Sequence, residues 1–185
     1  MEQSPTIRLV SHRPWENELR AANQVTVRSA EVSRRFDVVL YLNGLPVAIF
    51  ELKRAAARAD LASAHAQLGT YIREFPMAFR FAVATVISDG ITARFGTPFT
   101  PLHHYSPWNV DDDGEPVRPA DRLDNVNLGV ELELLVDGVF NPERFLQLLR
   151  NFTAFDGGAD GYAKRIASHT STSPSPRRSA PPSQR

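Results

Sequence analysis

Two apolar runs meet at Asn43-Gly44 in RFDVVLYLNGLPVAIFELK (Arg35–Lys53), and no other stretch restricts the possible folds as much. Asn-Gly between apolar runs is the strongest short-range signal for a β-hairpin. Side chains alternate along a strand, so Glu51 and Lys53 must project from one face. Whether Asp37 joins them depends on the loop. A two-residue turn pairs Leu42 with Leu45 and sets Asp37 opposite Phe50, which puts it on the other face from Glu51. A three-residue loop, Leu42-Asn43-Gly44 with Gly44 in the left-handed region, pairs Tyr41 with Leu45. Asp37, Val39, Val47, Ile49, Glu51 and Lys53 then share a face, and Val38, Leu40, Ala48, Phe50 and Leu52 form a wholly apolar one. A one-residue slip flips every side chain, so burial selects this register. It predicts a bulged turn, with Asp37 diagonally across from Glu51 and about 7–8 Å away at the backbone.

Two carboxylates and an ammonium at the end of an apolar hairpin suit a hard divalent cation. Mg2+ takes oxygen ligands, typically one or two carboxylates completed by waters and substrate phosphate oxygens. It lowers the pKa of a bound water and offsets charge on a pentavalent phosphate. Lys53 is placed to orient the attacking water or stabilise developing negative charge. The competing reading is a surface hairpin whose Asp37, Glu51 and Lys53 are merely solvated, with a weak exposed pair between the last two.

Composition limits the alternatives. The 185 residues suffice for one domain with a sizeable core, and 42% hydrophobic with 23% charged residues is ordinary for a soluble globular protein. Lys+Arg and Asp+Glu are both 21, so any phosphate-binding surface must come from local clustering, such as Arg34, Arg35, Lys53, Arg54 and Arg58. The absence of cysteine excludes disulfides and thiolate metal sites. No signal peptide and no apolar run of membrane-spanning length is visible, so a cytoplasmic protein with no membrane partner is expected.

Trp15–Leu19 reads as a short helical turn and Asn23–Ser29 as a strand, followed by the hairpin 36–42/46–53. Residues 55–74 are Ala-rich with Leu61, Ala64, Leu68 and Ile72 at helical spacing. Phe79–Ile87 is a nearly continuous apolar run, expected to be a strand buried on both faces. Ser88-Asp89-Gly90 reads as a turn and Ile91–Thr97 as a returning strand. This order predicts an α/β fold with a mixed central sheet flanked by helices. Residues 98–125, rich in Pro and Asp, read as a long surface segment. The run Asp111–Asp113 and the pair His103-His104 are expected to be solvated rather than metal-binding. Helices are expected over Leu128–Val136 and Pro142–Phe152, the second opened by Asn141 as N-cap and Pro142 at its first position. Its stripe Phe145, Leu148, Leu149 and Phe152 reads as core. A Gly-rich turn follows Asp156, and residues 168–185, rich in Ser, Pro and Arg, are expected to be disordered.

Several segments in order resemble the nuclease region of the R subunit of type I restriction enzymes: NQVTV, RFDVVLYLNGLPVAIFELK, AHAQLGTYIREFP, VISDGITARFGT, SPW and GVFNPERFLQLLRNFTAFD. The resemblance covers roughly residues 7–167 and assigns residues 1–167 to one domain. It implies a restriction-endonuclease-like PD-(D/E)XK core, with Asp37 and Glu51 binding Mg2+ and Lys53 as the catalytic lysine. Gln67 and Tyr71 match the Q-x3-Y element of that family; at i, i+4 they share a helix face, where they contact DNA backbone or order the site. Phe36 stands where the family motif has Pro, a departure expected to alter the start of the strand rather than the ligands.

R subunits of this family carry an additional N-terminal helical segment and an ATP-driven translocase. This chain has no GxxxxGK(S/T) phosphate loop, so no ATP site of its own is expected. The family-like KRIASH (Lys164–His169) breaks into the Ser/Pro tail, which suggests a gene fragment, frame-shifted near residue 169 and begun late. The expected function is Mg2+-dependent endonucleolytic cleavage of double-stranded DNA within a type I restriction-modification system. The alternative is a truncated remnant or docking module that binds DNA, or the methylation and specificity subunits, without cutting.

Overall fold

A computed structural model describes residues 8–54, 60–110, 130–151, 153–158 and 161–166. Five strands form one mixed sheet: β1 (Leu19–Arg28), β2 (Ser33–Leu42), β3 (Leu45–Leu52), β4 (Ala84–Ser88) and β5 (Ala93–Gly96), side by side in that order. All neighbours are antiparallel except β3 and β4, which run parallel and are joined across one face by helix α1 (Leu61–Glu74). A parallel pair requires such a crossover. Helices α2 (Val130–Val139) and α3 (Pro142–Asn151) cover the opposite face. The α/β expectation therefore holds.

Both faces are packed, and this explains the apolar hairpin. Val39 and Ile49 meet Ala64, Leu68 and Tyr71 of α1, while Ala48 and Phe50 meet Leu135, Val139 and Leu148 of α2 and α3. Strand β4 is buried at all five positions, as its apolar run requires. Phe36 fills the α1 side. It is 1% exposed and its ring lies 5.0 Å from Tyr71 and 5.7 Å from Phe79. Phe36, noted above as a departure from the resemblance, is thus an aromatic plug beneath α1.

The hairpin puts Val39 and Ile49 on one face and Ala48 and Phe50 on the other, as expected, but Val47, expected with the first pair, packs with Phe145 and Leu146 of α3, and the register is reached differently. Its turn is the two-residue Asn43-Gly44, both at positive φ (49° and 82°), pairing Leu42 with Leu45. The extra residue lies one step further on: Tyr41 pairs with Pro46, Leu40 with Ala48, and Val47 is the bulge. Proline has no N–H to give to a ladder and is tolerated at bulges, so Pro46 locates the irregularity. After the bulge Val38 pairs with Phe50. Continued by one residue, that register sets Asp37 directly opposite Glu51, not diagonally from it.

Other boundaries also move. Strand β1 begins at Leu19, after a 3-10 turn at Pro14–Glu16, rather than at Asn23. Helix α1 begins at Leu61 because Asp60 caps it, accepting the Ser63 N–H at 2.7 Å; residues 55–59 lie outside the described residues. Of the run Phe79–Ile87 only Ala84 onward is strand, whereas Phe79 closes a 3-10 turn and plugs the core. Strand β5 is shorter than Ile91–Thr97. Within the segment read as surface, Tyr105 and Trp108 are buried, while His103 and His104 are exposed as expected.

Helix α2 runs on to Val139, past the expected end, and α3 is capped by Asn141 as expected. After it, Thr153–Gly158 (β6) and Gly161–Ile166 (β7) form an antiparallel hairpin where only a Gly-rich turn was expected. Asp111–Asp113, Arg58, Phe152 and residues 167–185, with the domain boundary and the disorder expected there, lie outside the described residues.

Candidate active site

The β1–β2 ladder continues to Arg28 and Ser33, whereas β2 leaves β3 after the Val38–Phe50 pair. Past that point the β1–β2 ribbon and the end of β3 diverge like the arms of a fork. Asp37 sits at the branch. Its Oδ2 accepts the Leu52 N–H at 2.8 Å, so a side chain replaces the next ladder bond and fixes the carboxylate against β3. Gln24, across β1 from this point, has φ of 53°, marking the same irregularity.

The fork encloses an open cleft of about 490 Å³, and all five residues singled out from the sequence line it: Asp37, Glu51, Lys53, Gln67 and Tyr71. Strand parity brings Glu51 and Lys53 together; the bulge brings Asp37 to them; helical i, i+4 spacing brings Gln67 and Tyr71 over them from α1. Lys53 Nζ donates to Glu51 Oε1 at 2.6 Å and also to Gln67 Oε1. Gln67 Nε2 in turn donates to the Tyr71 hydroxyl. The amide is thereby held with its oxygen toward the lysine. In this structure the Tyr71 hydroxyl, Gln67 and Lys53 thus form one hydrogen-bonded chain.

Glu51 is 1% exposed. Burial pushes its carboxyl pKa up, against the lowering by the Lys53 hydrogen bond; the Asp37 charge adds to the rise. Its Oε2 is the one buried side-chain polar atom, among the described residues, with no hydrogen-bond partner. A buried carboxylate oxygen left without a donor is costly, and most such atoms have a ligand, an ion or a functional reason. A divalent cation fits: Glu51 Oε2 faces unmet demand, Asp37 is held beside it, and a cleft leaves room for waters and a phosphate. No group of three or more His, Cys, Asp and Glu side chains stands ready for a metal among the described residues. Burial also raises the Tyr71 hydroxyl pKa, so it stays protonated near neutral pH.

The basic cluster divides. Arg34 and Arg35 line the cleft, but Arg34 is tied to Glu74 of α1 through two bonds of 2.8 Å. Arg54 is exposed, and Arg58 lies outside the described residues. Sequence reasoning missed Glu74, Thr26 and Ser33, the last two also lining the cleft. For Thr26 and Ser33 the signal was the continuation of β1–β2 beyond the hairpin; the strand read as Asn23–Ser29 already contained Thr26.

Residues 2–104 match the family described as Type I restriction enzyme R protein N terminus. The chain belongs to this family. It is 34% identical over 167 residues to the Type I restriction enzyme HindI endonuclease subunit of Haemophilus influenzae, covering 88% of this chain and 15% of that protein. It is 29% identical over 153 residues to the Putative type I restriction enzyme MjaIXP endonuclease subunit of Methanocaldococcus jannaschii, covering 76% and 15%. The chain thus spans about 15% of the length of these relatives. The family segment contains every cleft residue named above. Among the described residues no helix is long and apolar enough to cross a membrane.

Proposed function

We propose that this chain carries the nuclease site of a type I restriction-modification system and cleaves phosphodiester bonds of double-stranded DNA with Mg2+. The buried, partnerless Glu51 Oε2 beside Lys53 in an open cleft carries the reading. Asp37 and Glu51 would hold the cation. When bound, Mg2+ supplies Lewis-acid polarisation of the phosphate and an acidified water.

The chain's own residues do the rest. Asp37, locked to the Leu52 N–H, and Glu51, buried behind it, present carboxylates from two strands without rearrangement. Lys53, fixed by Glu51 and Gln67, keeps an ammonium donor at the phosphate. There it stabilises charge gathering on the non-bridging oxygens as the water oxygen bonds to phosphorus and the bond to the leaving deoxyribose oxygen breaks. Gln67 and Tyr71 act on the reaction through that lysine. DNA target choice and the ATP-driven steps fall to other parts of such a system, and the methylation and specificity subunits are the proposed partners.

The test is plasmid nicking by the purified chain with Mg2+, beside Asp37→Ala, Glu51→Ala and Lys53→Ala. Cleavage by the parent that is lost in all three supports the assignment. A folded parent that does not cut points to the alternative, a domain that binds DNA or the other subunits without cutting.

A further inference from the structure

The carboxylate wall of the cleft belongs to β3 and the branch of β2; the opposite wall belongs to the β1–β2 ribbon. On that second wall Arg35 pairs across the ladder with Thr26, and Ser33 lies two residues before it. The cleft is lined by three cations, and two are committed. Arg34 is clamped by Glu74, and Lys53 by Glu51 and Gln67. The Arg35 side chain has no hydrogen-bond or ion-pair partner among the described residues, and it is exposed. Its Cα lies two positions from that of Asp37, about 6.6 Å along a strand. A guanidinium with two hydroxyls on the same wall is a chemically suitable phosphate-contacting set, since Arg, Ser and Thr are among the side chains that donate to DNA backbone oxygens.

We propose that Arg35, with the hydroxyls of Thr26 and Ser33, seats a DNA backbone phosphate next to the scissile one, so that the ribbon wall holds the strand while the carboxylate wall cuts it. This rests on the nuclease reading above but concerns binding alone. The Arg34–Glu74 pair fixes the ribbon against α1, which sets where the seat stands relative to the carboxylates. Contact with phosphate carries no base information, so the seat is indifferent to sequence.

Binding of a fluorescein-labelled duplex oligonucleotide is measured by anisotropy across a salt series, with the full chain carrying Glu51→Ala so that no cleavage intrudes. Adding Arg35→Gln is expected to weaken binding about tenfold at low salt. It should also lower the magnitude of the slope of log K against log salt by about one. Arg35→Lys, which keeps the charge, retains that slope. Arg20→Gln, on a residue paired with Glu18 outside the cleft, leaves both quantities unchanged. An Arg35→Gln chain of unchanged circular dichroism that binds with the parental affinity and slope overturns the proposal, as does a parent that binds no duplex. Plasmid nicking by the chain with native Glu51 reports separately on the nuclease reading, so failure of the seat and failure of the nuclease remain distinct.

Discussion

Replacing Phe36 with alanine empties the space under α1 and should be among the most damaging single changes in the hairpin. The side chain is 1% exposed and meets Tyr71, Phe75 and Phe79 with ring centroids 5.0, 6.4 and 5.7 Å away. Burying a phenyl group contributes about 1.5–3 kcal/mol, and a favourable ring pair adds about 0.5–1.5. Partial collapse of the cavity returns some of this, and Phe→Ala changes in packed cores cost about 3–5 kcal/mol. With a urea m-value of about 2 kcal/mol/M, a loss of about 4 kcal/mol moves the unfolding midpoint down by roughly 2 M. Phe36→Leu, which nearly conserves volume, should lose under about 1.5 kcal/mol. The assay is urea unfolding followed by circular dichroism, with two-state behaviour checked by tryptophan fluorescence. A loss below about 1 kcal/mol for Phe36→Ala would refute the view that this ring plugs the helix–sheet contact. Because Phe36 also backs Tyr71, any Phe36→Ala chain that stays folded should lose cleavage more than Phe36→Leu does.

Tyr71→Phe keeps the ring but removes the acceptor for Gln67, so plasmid nicking should fall roughly tenfold to hundredfold in rate with DNA affinity unchanged; an unchanged rate would remove the hydroxyl from the lysine-ordering chain. Adding Mg2+ at ten times its dissociation constant should stabilise the parent by about 1.4 kcal/mol in thermal unfolding, and neither Asp37→Asn nor Glu51→Gln should respond. Tyr105 has its hydroxyl pKa pushed up to about 12, chiefly by burial. Its share of the stability is therefore complete below pH 10 and is lost as pH rises from there toward 12, on the order of 2 kcal/mol; Tyr105→Phe should flatten that limb of a pH-dependent urea series. Gly138→Ala, helix-favouring by itself, would put a Cβ 1.9 Å from the Trp108 indole nitrogen and so should lower the unfolding temperature.

The candidate site was more legible in the sequence than the boundaries around it. Parity is enough to put Glu51 with Lys53, and helical spacing is enough to put Gln67 with Tyr71; neither depends on the rest of the fold. The facing of Asp37 was also right, but for a reason only half found. Burial demanded one extra residue somewhere in the hairpin, and the loop was its obvious place. Pro46 was the overlooked clue, because a residue without an N–H marks where a ladder can skip. The run from Phe79 to Ile87 misled because hydrophobicity records burial, not conformation. Only Ala84 onward is strand, Phe79 packs as a plug, and Arg80 and Phe81 between them are exposed. Tyr105 and Trp108 were missed since aromatic residues among prolines give no period to read. The β6–β7 hairpin was hidden by glycines, which weaken every strand signal. The Arg34–Glu74 tie joins residues forty positions apart and no local pattern announces it.

That tie has a mechanical meaning. A two-stranded ribbon leaving the body of a sheet twists more readily than the sheet itself, so one wall of the cleft is compliant and the other is stiff. Arg34 and Glu74 act as a strut between the compliant wall and the helix that carries Gln67 and Tyr71. The ribbon is thus held to the helix twice, by the core packing of Phe36 and by an exchangeable ion pair nearer the cleft mouth. Shortening or lengthening that outer contact would act on the ribbon wall first, with both carboxylates and the lysine left where they stand.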